Sequence, residues 1–427
     1  MIRRLVKKMT PQFVLGLYYA AWALAGVLVY THPSRSIKVV GITGTNGKTS
    51  TTHIVSNMLE AKGMKVGSIS SLRFKIGDRE WTNDFKMTMP GRLHIQKFIR
   101  ECVDAGCDVV VMEVTSEGVS QKRHLGIRFD TAAFTNLTPE HIESHGSFEK
   151  YKQAKGAFFA KKHRVSVVNM NDEAAPYFLE FLAQEKIGYS SDAAQQRVRV
   201  GVDALLEART VEVGPTGISF NVDGVSFAAP LLGHFNVDNS LAAIGICVAQ
   251  GMTLDEAAAA FAAVRPVPGR AEVVLHEPFG VVVDYAHTPD GLEKVYAMVK
   301  SVRDDSARQI CVLGAAGSGR DKWKRPQLGS IADAQCDEII LTDEDPYDED
   351  PMAILEQVQG GVADSRKVRI VLDRRAAISL ALKSAKPKDI VVITGKGAEP
   401  LMMKAHGRRV PWDDREVVKE EFSKLYG

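Results

Sequence analysis

Ile37-Lys-Val-Val-Gly41-Ile42-Thr-Gly44-Thr-Asn-Gly47-Lys48-Thr49 sets a β-branched apolar run directly against a glycine-rich turn that ends in Lys-Thr. Residues 37–42 read as a strand and 49–62 as the helix that follows. Glycines in the turn let backbone N–H groups close on a phosphate, and the helix N-terminus adds a favourable dipole. Lys48 reaches the outer phosphates, and the Thr49 hydroxyl is a magnesium ligand of the expected type. Gly44, Thr45, Asn46, Gly47, Lys48, Thr49 and Ser50 are therefore the candidate nucleotide-phosphate residues. The general phosphate-loop pattern has glycine where Ile42 stands, so spacing alone departs from it.

Outward from this loop, short β-branched runs alternate with helical stretches, the pattern of an α/β chain with a mainly parallel sheet. Further strands are expected at 65–70, 109–113, 131–135 and 165–169. Between 197 and 232 the texture changes to alternating residues with Gly-rich turns, an antiparallel excursion. Pro266 and Pro268 mark 264–269 as a stiff linker. A second α/β unit follows, with strands at 280–285, 309–313, 338–342, 368–372 and 390–394. The expected division is 1–36 as an apolar N-terminal helix segment, 37–268 as a nucleotide-binding central domain and 269–427 as a Rossmann-like domain.

A chain of 427 residues, 45% hydrophobic, is long enough for these cores. Its formal charge of +2 advertises no basic face, and nucleic acid is not an expected partner. Cys102, Cys107, Cys247, Cys311 and Cys336 are scattered, without a zinc-type spacing, which predicts buried thiols in a reduced compartment. After Arg3, Arg4, Lys7 and Lys8, residues 13–30 carry no charge. A signal peptide fails for lack of a small-residue cleavage site, and a span would put the body on the side where ATP is scarce. What remains is a helix lying in a membrane surface, or one packed on the protein or on a second copy.

Several separate motifs resemble those of the Mur ligases, from residue 40 almost to the end. The loop Thr43-Gly-Thr-Asn-Gly-Lys-Thr49 is similar to theirs throughout. Met112-Glu113-Val-Thr-Ser116, at a strand end, implies that Glu113 ligates magnesium. Phe134-Thr-Asn-Leu-Thr-Pro-Glu-His141, with Tyr151-Lys-Gln-Ala-Lys155, resembles the family's second metal motif. That implies His141 on a second magnesium, helped by carbamylated Lys155. Gly233-His-Phe-Asn236-Val-Asp-Asn239 is similar to the adenine-flanking segment, with Asn236 favoured over Asn239. Pro268-Gly-Arg270 and Asp284-Tyr-Ala-His-Thr-Pro-Asp290 match motifs that place Arg270 on phosphate and Asp284 on ribose. The second narrows the likeness to the MurE type, which adds the third residue of the stem peptide.

By the same resemblance, Arg320 binds the carboxylate of an incoming amino acid and Glu399, with Gly395, its ammonium. Asp345 and Tyr347 stand where diaminopimelate users carry Asn and Arg, which favours a lysine-like amino acid while diaminopimelate remains open. Thr115, Gln121 and Arg123 keep muramyl-peptide contacts by spacing, although Glu117 replaces a His, and Met87-Thr88-Met89-Pro90 retains only part of a Thr-Thr substrate motif that makes Thr88 a further candidate. The family's separate N-terminal domain for the uridine nucleotide is expected to be lacking here. The acceptor is then a muramoyl dipeptide that is either UDP-linked or lipid-linked.

The implied enzyme is a cytoplasmic ATP- and Mg2+-dependent ligase, with association at the inner face of the membrane left open, with Lys48, Glu113, His141, Lys155 and Arg270 as its catalytic set and Thr49, Glu113, His141 and Lys155 holding metal. The rivals are a folylpolyglutamate or cyanophycin synthetase-like ligase and a non-catalytic, membrane-recruited ATP-binding scaffold.

Overall fold

The computed structural model describes residues 11–85, 87–192, 201–318 and 320–427. The basic residues Arg3, Arg4, Lys7 and Lys8, and the first residues of the expected 197–232 excursion, lie outside the described residues.

In chain order the first strands are β1 (Lys38–Thr43), β2 (Val66–Ile69), β3 (Arg73–Ile76), β4 (Arg79–Thr82), β5 (Val109–Glu113), β6 (Thr131–Phe134), β7 (His163–Asn169), β8 (Ala183–Ser190) and β9 (Ala204–Glu207). They form one sheet in the order β4-β3-β2-β5-β1-β6-β7-β8-β9. It is parallel except where β3 and β4 fold back as hairpin strands. The hairpin and β8 were not expected from sequence, and β9, within the expected antiparallel excursion, instead pairs parallel with β8 at the edge of the main sheet. Two apolar clusters cover the two faces of the sheet, as a buried parallel sheet requires.

The antiparallel excursion is a sheet of its own, β10 (Arg209–Gly214), β11 (Gly217–Val222) and β12 (Val225–Ala229). Then come β13 (Glu272–Leu275), β14 (Gly280–Val283), β15 (Gln309–Leu313), β16 (Glu338–Leu341), β17 (Val368–Ile370) and β18 (Ile390–Ile393), ordered β13-β14-β18-β15-β16-β17. Only the β13–β14 pair is antiparallel, and apolar clusters again lie on both faces.

Register decides where chemistry collects. Ile42 of β1 lies opposite Glu113 of β5, and Thr43 opposite Phe134 of β6. The turn after β1, Glu113 and the 135–141 segment therefore share one carboxyl edge, where open α/β sheets bind ligands. In the second sheet Asp284, Arg320, Tyr347 and Glu399 all follow the carboxyl ends of strands β14, β15, β16 and β18.

The reading of five thiols needs correction. Cys311 and Cys336 are joined as a disulfide, with Cα atoms 6.1 Å apart. The cause is register, since β15 pairs Cys311 with Ile339 of β16 and so draws in Cys336. Cys102, Cys107 and Cys247 are free and buried.

Candidate functional site

The two carboxyl edges face each other across a cleft of about 570 Å3. On the first wall Gly47 has φ +83°, and a Cβ there would lie 2.2 Å from Asn239 Oδ1, so glycine alone suits that bend. The helix Lys48–Ala61 starts at once, aiming its free N–H groups into the cleft. Lys48 Nζ donates to Gly44 O (2.8 Å) and Thr45 O (2.7 Å). Burial lowers its pKa to about 8, against the pull of Glu113. Asn136 and Thr135 hold the loop from β6, Asn136 Oδ1 accepting the Asn46 N–H at 2.8 Å and Thr135 Oγ1 donating to Asn46 O at 2.7 Å.

Several polar contacts tie the walls together. Asn46 Nδ2 donates to Asp290 (2.9 Å), Arg270 Nη2 donates to Thr49 Oγ1 (3.3 Å), and Lys324 pairs with Glu140 at 2.8 Å with both side chains buried. Arg270 lies flat over Tyr285, 4.1 Å from the ring centre. Both Asp284 oxygens accept backbone N–H groups, from Ala271 (2.6 Å) and Ala286 (2.5 Å), so this carboxylate braces the wall on which it stands. Gly269, in the proline linker, has φ +63° and would meet Ala398 N at 2.1 Å with any side chain. The absence of a bulky side chain at 398 suits that close approach.

Thr88, Thr115, Gln121 and Arg123 line the first wall of the cleft. Thr115 caps the helix Ser116–Ser120 through Gly118 N–H, and Arg123 donates to Gln121 Oε1 (2.9 Å) and to Met89 O. On the second wall stand Arg320, Asp345, Tyr347, Gly395 and Glu399. The Arg320 guanidinium is 5.8 Å from the Tyr347 ring centre. Buried Lys396 donates to Asp345 (3.0 Å), Glu399 (2.5 Å) and Leu401 O (2.9 Å), while Tyr285 OH donates to Glu399 Oε1 (3.0 Å). Asp345 also accepts Met403 N–H at 2.6 Å, so it is engaged in holding its own loop.

Magnesium prefers oxygen, and two oxygen donors meet beside the phosphate loop. Ser71 gives its N–H to Glu113 Oε1 (2.8 Å) and shares its hydroxyl with Thr49 Oγ1 (2.9 Å). Burial raises the Glu113 pKa, with Lys48 drawing it back. Among the described residues no three His, Cys, Asp or Glu side chains gather into a cage. The Thr49 and Glu113 oxygens, both at Ser71, fit an ion that takes one or two protein oxygens and completes its shell with water and phosphate.

His141 lines the cleft with φ +57° and is held neutral, its pKa lowered to about 2 by burial, then by Lys155 and Lys48. Lys155 is 1% exposed and lies behind the loop, where Nζ donates to Gly44 O at 2.6 Å. Burial and then Lys48 lower its pKa well below the lysine range. A donating amine is no magnesium ligand, so this pair fits a second ion only with Lys155 as a carbamate.

Asn236 is not on the cleft wall. Its amide is turned inward, donating to Leu232 O (2.7 Å) and accepting from Asn239 (3.0 Å), and Asn239 is the one that lines the cleft. Sequence reasoning also passed over Glu140 and Glu344. Each is a buried cleft residue with one carboxylate oxygen unpartnered. Burial and then Asp345 raise the Glu344 pKa to about 7. The acidic run 343–345 signals Glu344 weakly, and nothing local signals the pairing of Glu140 with a lysine so distant in the chain.

The Mur ligase middle domain model matches residues 42–247, and the Mur ligase, glutamate ligase domain model matches 269–397. The chain is 37% identical to the UDP-N-acetylmuramyl-tripeptide synthetase of Roseiflexus sp. (strain RS-1), over 93% of this chain and 81% of the relative. It is 35% identical, with the same coverage, to the UDP-N-acetylmuramoyl-L-alanyl-D-glutamate--2,6-diaminopimelate ligase of Geobacillus thermodenitrificans (strain NG80-2). A solved structure of a ligase of that second name aligns with TM-score 0.62 at 28% identity, over 92% of this chain and 79% of that one. Folylpolyglutamate synthase of Mycobacterium tuberculosis aligns with TM-score 0.69 over 88% of this chain and 92% of that one, but at 19% identity, which carries the fold alone.

Proposed function

The chain belongs to the Mur ligase family, ATP- and magnesium-dependent enzymes that form amide bonds in peptidoglycan synthesis, and on that premise we propose that it adds a diamino acid of the lysine or diaminopimelate class to a muramoyl-L-Ala-D-Glu acceptor. The observation that carries this reading is the shared cleft. It sets Lys48, Thr49 and Glu113 on one sheet edge against Arg320, Glu344 and Glu399 on another.

A carboxylate and an amine do not condense in neutral water, so the carboxylate must first be activated. Lys48 and Arg270 offset charge on the terminal phosphate of ATP, with Asn239 and Asp284 on the walls around the nucleotide. Thr49 and Glu113 would hold a magnesium ion, which when bound neutralises phosphate charge. Thr88, Thr115, Gln121 and Arg123 orient the acceptor so that a carboxylate oxygen attacks the γ-phosphorus in line and ADP leaves. Arg320 takes the amino acid's carboxylate, and Glu399 with Glu344 draws its amino groups. The amine nitrogen attacks the acyl phosphate, and phosphate departs with the former carboxylate oxygen. The linker at 264–269 is the hinge between units 37–268 and 269–427, and the ties Asn46–Asp290 and Glu140–Lys324 keep water from the acyl phosphate.

His141, with Lys155 as a carbamate, would hold a second magnesium ion. The low pKa of Lys155 supports this, because only a neutral amine takes up CO2. The carboxylates Glu344, Asp345 and Glu399 among the lining residues favour a distal ammonium over a distal carboxylate. Dependence on ATP puts the enzyme in the cytoplasm. The test is ADP release with UDP-N-acetylmuramoyl-L-Ala-D-Glu and a panel of diamino acids, with products identified by mass. Release that needs both substrates and yields the tripeptide supports the reading; release supported instead by a folate and glutamate overturns it.

A further inference from the structure

The helix Gln12–Val29 is built the wrong way round for a protein surface in water. Ala23 and Gly26, in its second half, face inward. Gly26 touches Leu93 and Gln96 of the helix Arg92–Asp104, and Ala23 and Val27 are buried, Val27 against Gly126. Tyr19 is held from the same side by the Arg92 guanidinium, 4.0 Å above its ring. The large apolar residues point outward, with Phe13 71%, Leu17 68%, Leu24 51% and Leu28 67% exposed, beside Tyr18 and Trp22. Recurrence at 17, 21, 24 and 28 makes one continuous apolar stripe, and no residue of this helix is charged. A stripe of this kind marks an interaction surface.

Charge selects the occupant. Arg3, Arg4, Lys7 and Lys8 immediately precede the helix, Arg35 and Lys38 follow it, and the first acidic residue of the chain is Glu60. A second copy of this segment would bring the same cations and no acid to answer them. An anionic bilayer answers both features, apolar stripe to acyl boundary and cations to head groups, with Tyr18 and Trp22 at the interface. The bound inward face keeps the helix on the surface, and among the described residues no helix is long and apolar enough to cross a membrane.

We propose that the Gln12–Val29 helix docks the enzyme, by its outward apolar face and flanking cations, onto the surface of a bilayer rich in anionic phospholipid. The helix meets the acceptor wall on its inner side, through Arg92, which also donates to Gln121 O, but the dock is argued from the outward face alone, so neither reading depends on the other.

The test is flotation of the full chain with phosphatidylcholine vesicles, with and without phosphatidylglycerol. Wild type floats with the anionic vesicles, and less so at high salt. Leu17→Glu with Leu24→Glu reduces partition at least tenfold, from the loss of two buried leucines. Arg3, Arg4, Lys7 and Lys8 all changed to Ala reduce it by roughly a hundredfold or more on anionic vesicles. Both variants keep wild-type melting and ADP release, because the altered side chains point away from the body or precede the helix. Wild type that stays unbound, or that floats equally with neutral vesicles, overturns the proposal. So does a concentration-dependent dimer that Leu17→Glu abolishes without any vesicle binding, which would make a second copy the occupant.

Discussion

Lys155→Met separates stability from activity more sharply than any other single change. The substitution removes a buried amine whose one hydrogen bond goes to Gly44 O at 2.6 Å, beneath the Tyr151 ring. Gly44 O keeps its bond from Lys48 at 2.8 Å, so no polar atom is orphaned. A lost hydrogen bond of about 1 kcal/mol, in a volume-conserving exchange that also removes a desolvated amine, predicts a stability change within about 1.5 kcal/mol. The pH dependence has a definite sign. Folded Lys155 is held below the ordinary lysine range while the unfolded chain binds the proton, so its contribution to stability rises with pH between the lowered and ordinary values. Lys48 has the same sign, in a window from about 8 to the ordinary lysine value of 10.5. Lys155→Met loses its share of that slope. If carbamylated Lys155 helps to hold magnesium, activity falls at least about a hundredfold, since even outer-shell partners of a metal are worth 10–100-fold. Urea unfolding from neutral to alkaline pH, ADP release against magnesium concentration, and a 13C carbamate signal from labelled bicarbonate in wild type alone read the three parts. A variant that folds and turns over within about threefold of wild type would refute the reasoning.

Lys324→Met leaves the buried Glu140 carboxylate unpaired and is expected to cost about 3–5 kcal/mol, most of it restored when Glu140→Gln is added; urea unfolding of the double-mutant cycle checks this. Glu344, with its pKa raised to about 7, is ionised above that value, so KM for the diamino acid should rise as pH falls from 8 to 6. Glu344→Gln raises KM at pH 8 and flattens the profile, whereas an unchanged profile would remove Glu344 from amine binding.

The phosphate wall was legible because its constraints are local. Gly47 must take a positive φ, and Thr49 follows it on the helix by chain continuity. The strands around it were legible because buried parallel strands are uninterrupted β-branched runs. The 73–82 hairpin was not, since its exposed strand Arg79–Thr82 carries no apolar alternation. Choosing between Asn236 and Asn239 needs the rotation of the helix Phe235–Ala249 about its axis, which tertiary packing sets. The Glu140–Lys324 pair and the Cys311–Cys336 bond depend on sheet register and cleft closure, which no window of sequence contains.

The acyl phosphate is the centre of the account, and isotope transfer tests it most directly. Acceptor carrying 18O at both oxygens of its reacting carboxylate is turned over with ATP and the diamino acid, and the inorganic phosphate is analysed by mass. One 18O in each phosphate released, in step with amide formed, is predicted, because the oxygen that attacks the γ-phosphorus leaves with it. Amide formed with unlabelled phosphate would contradict activation through an acyl phosphate.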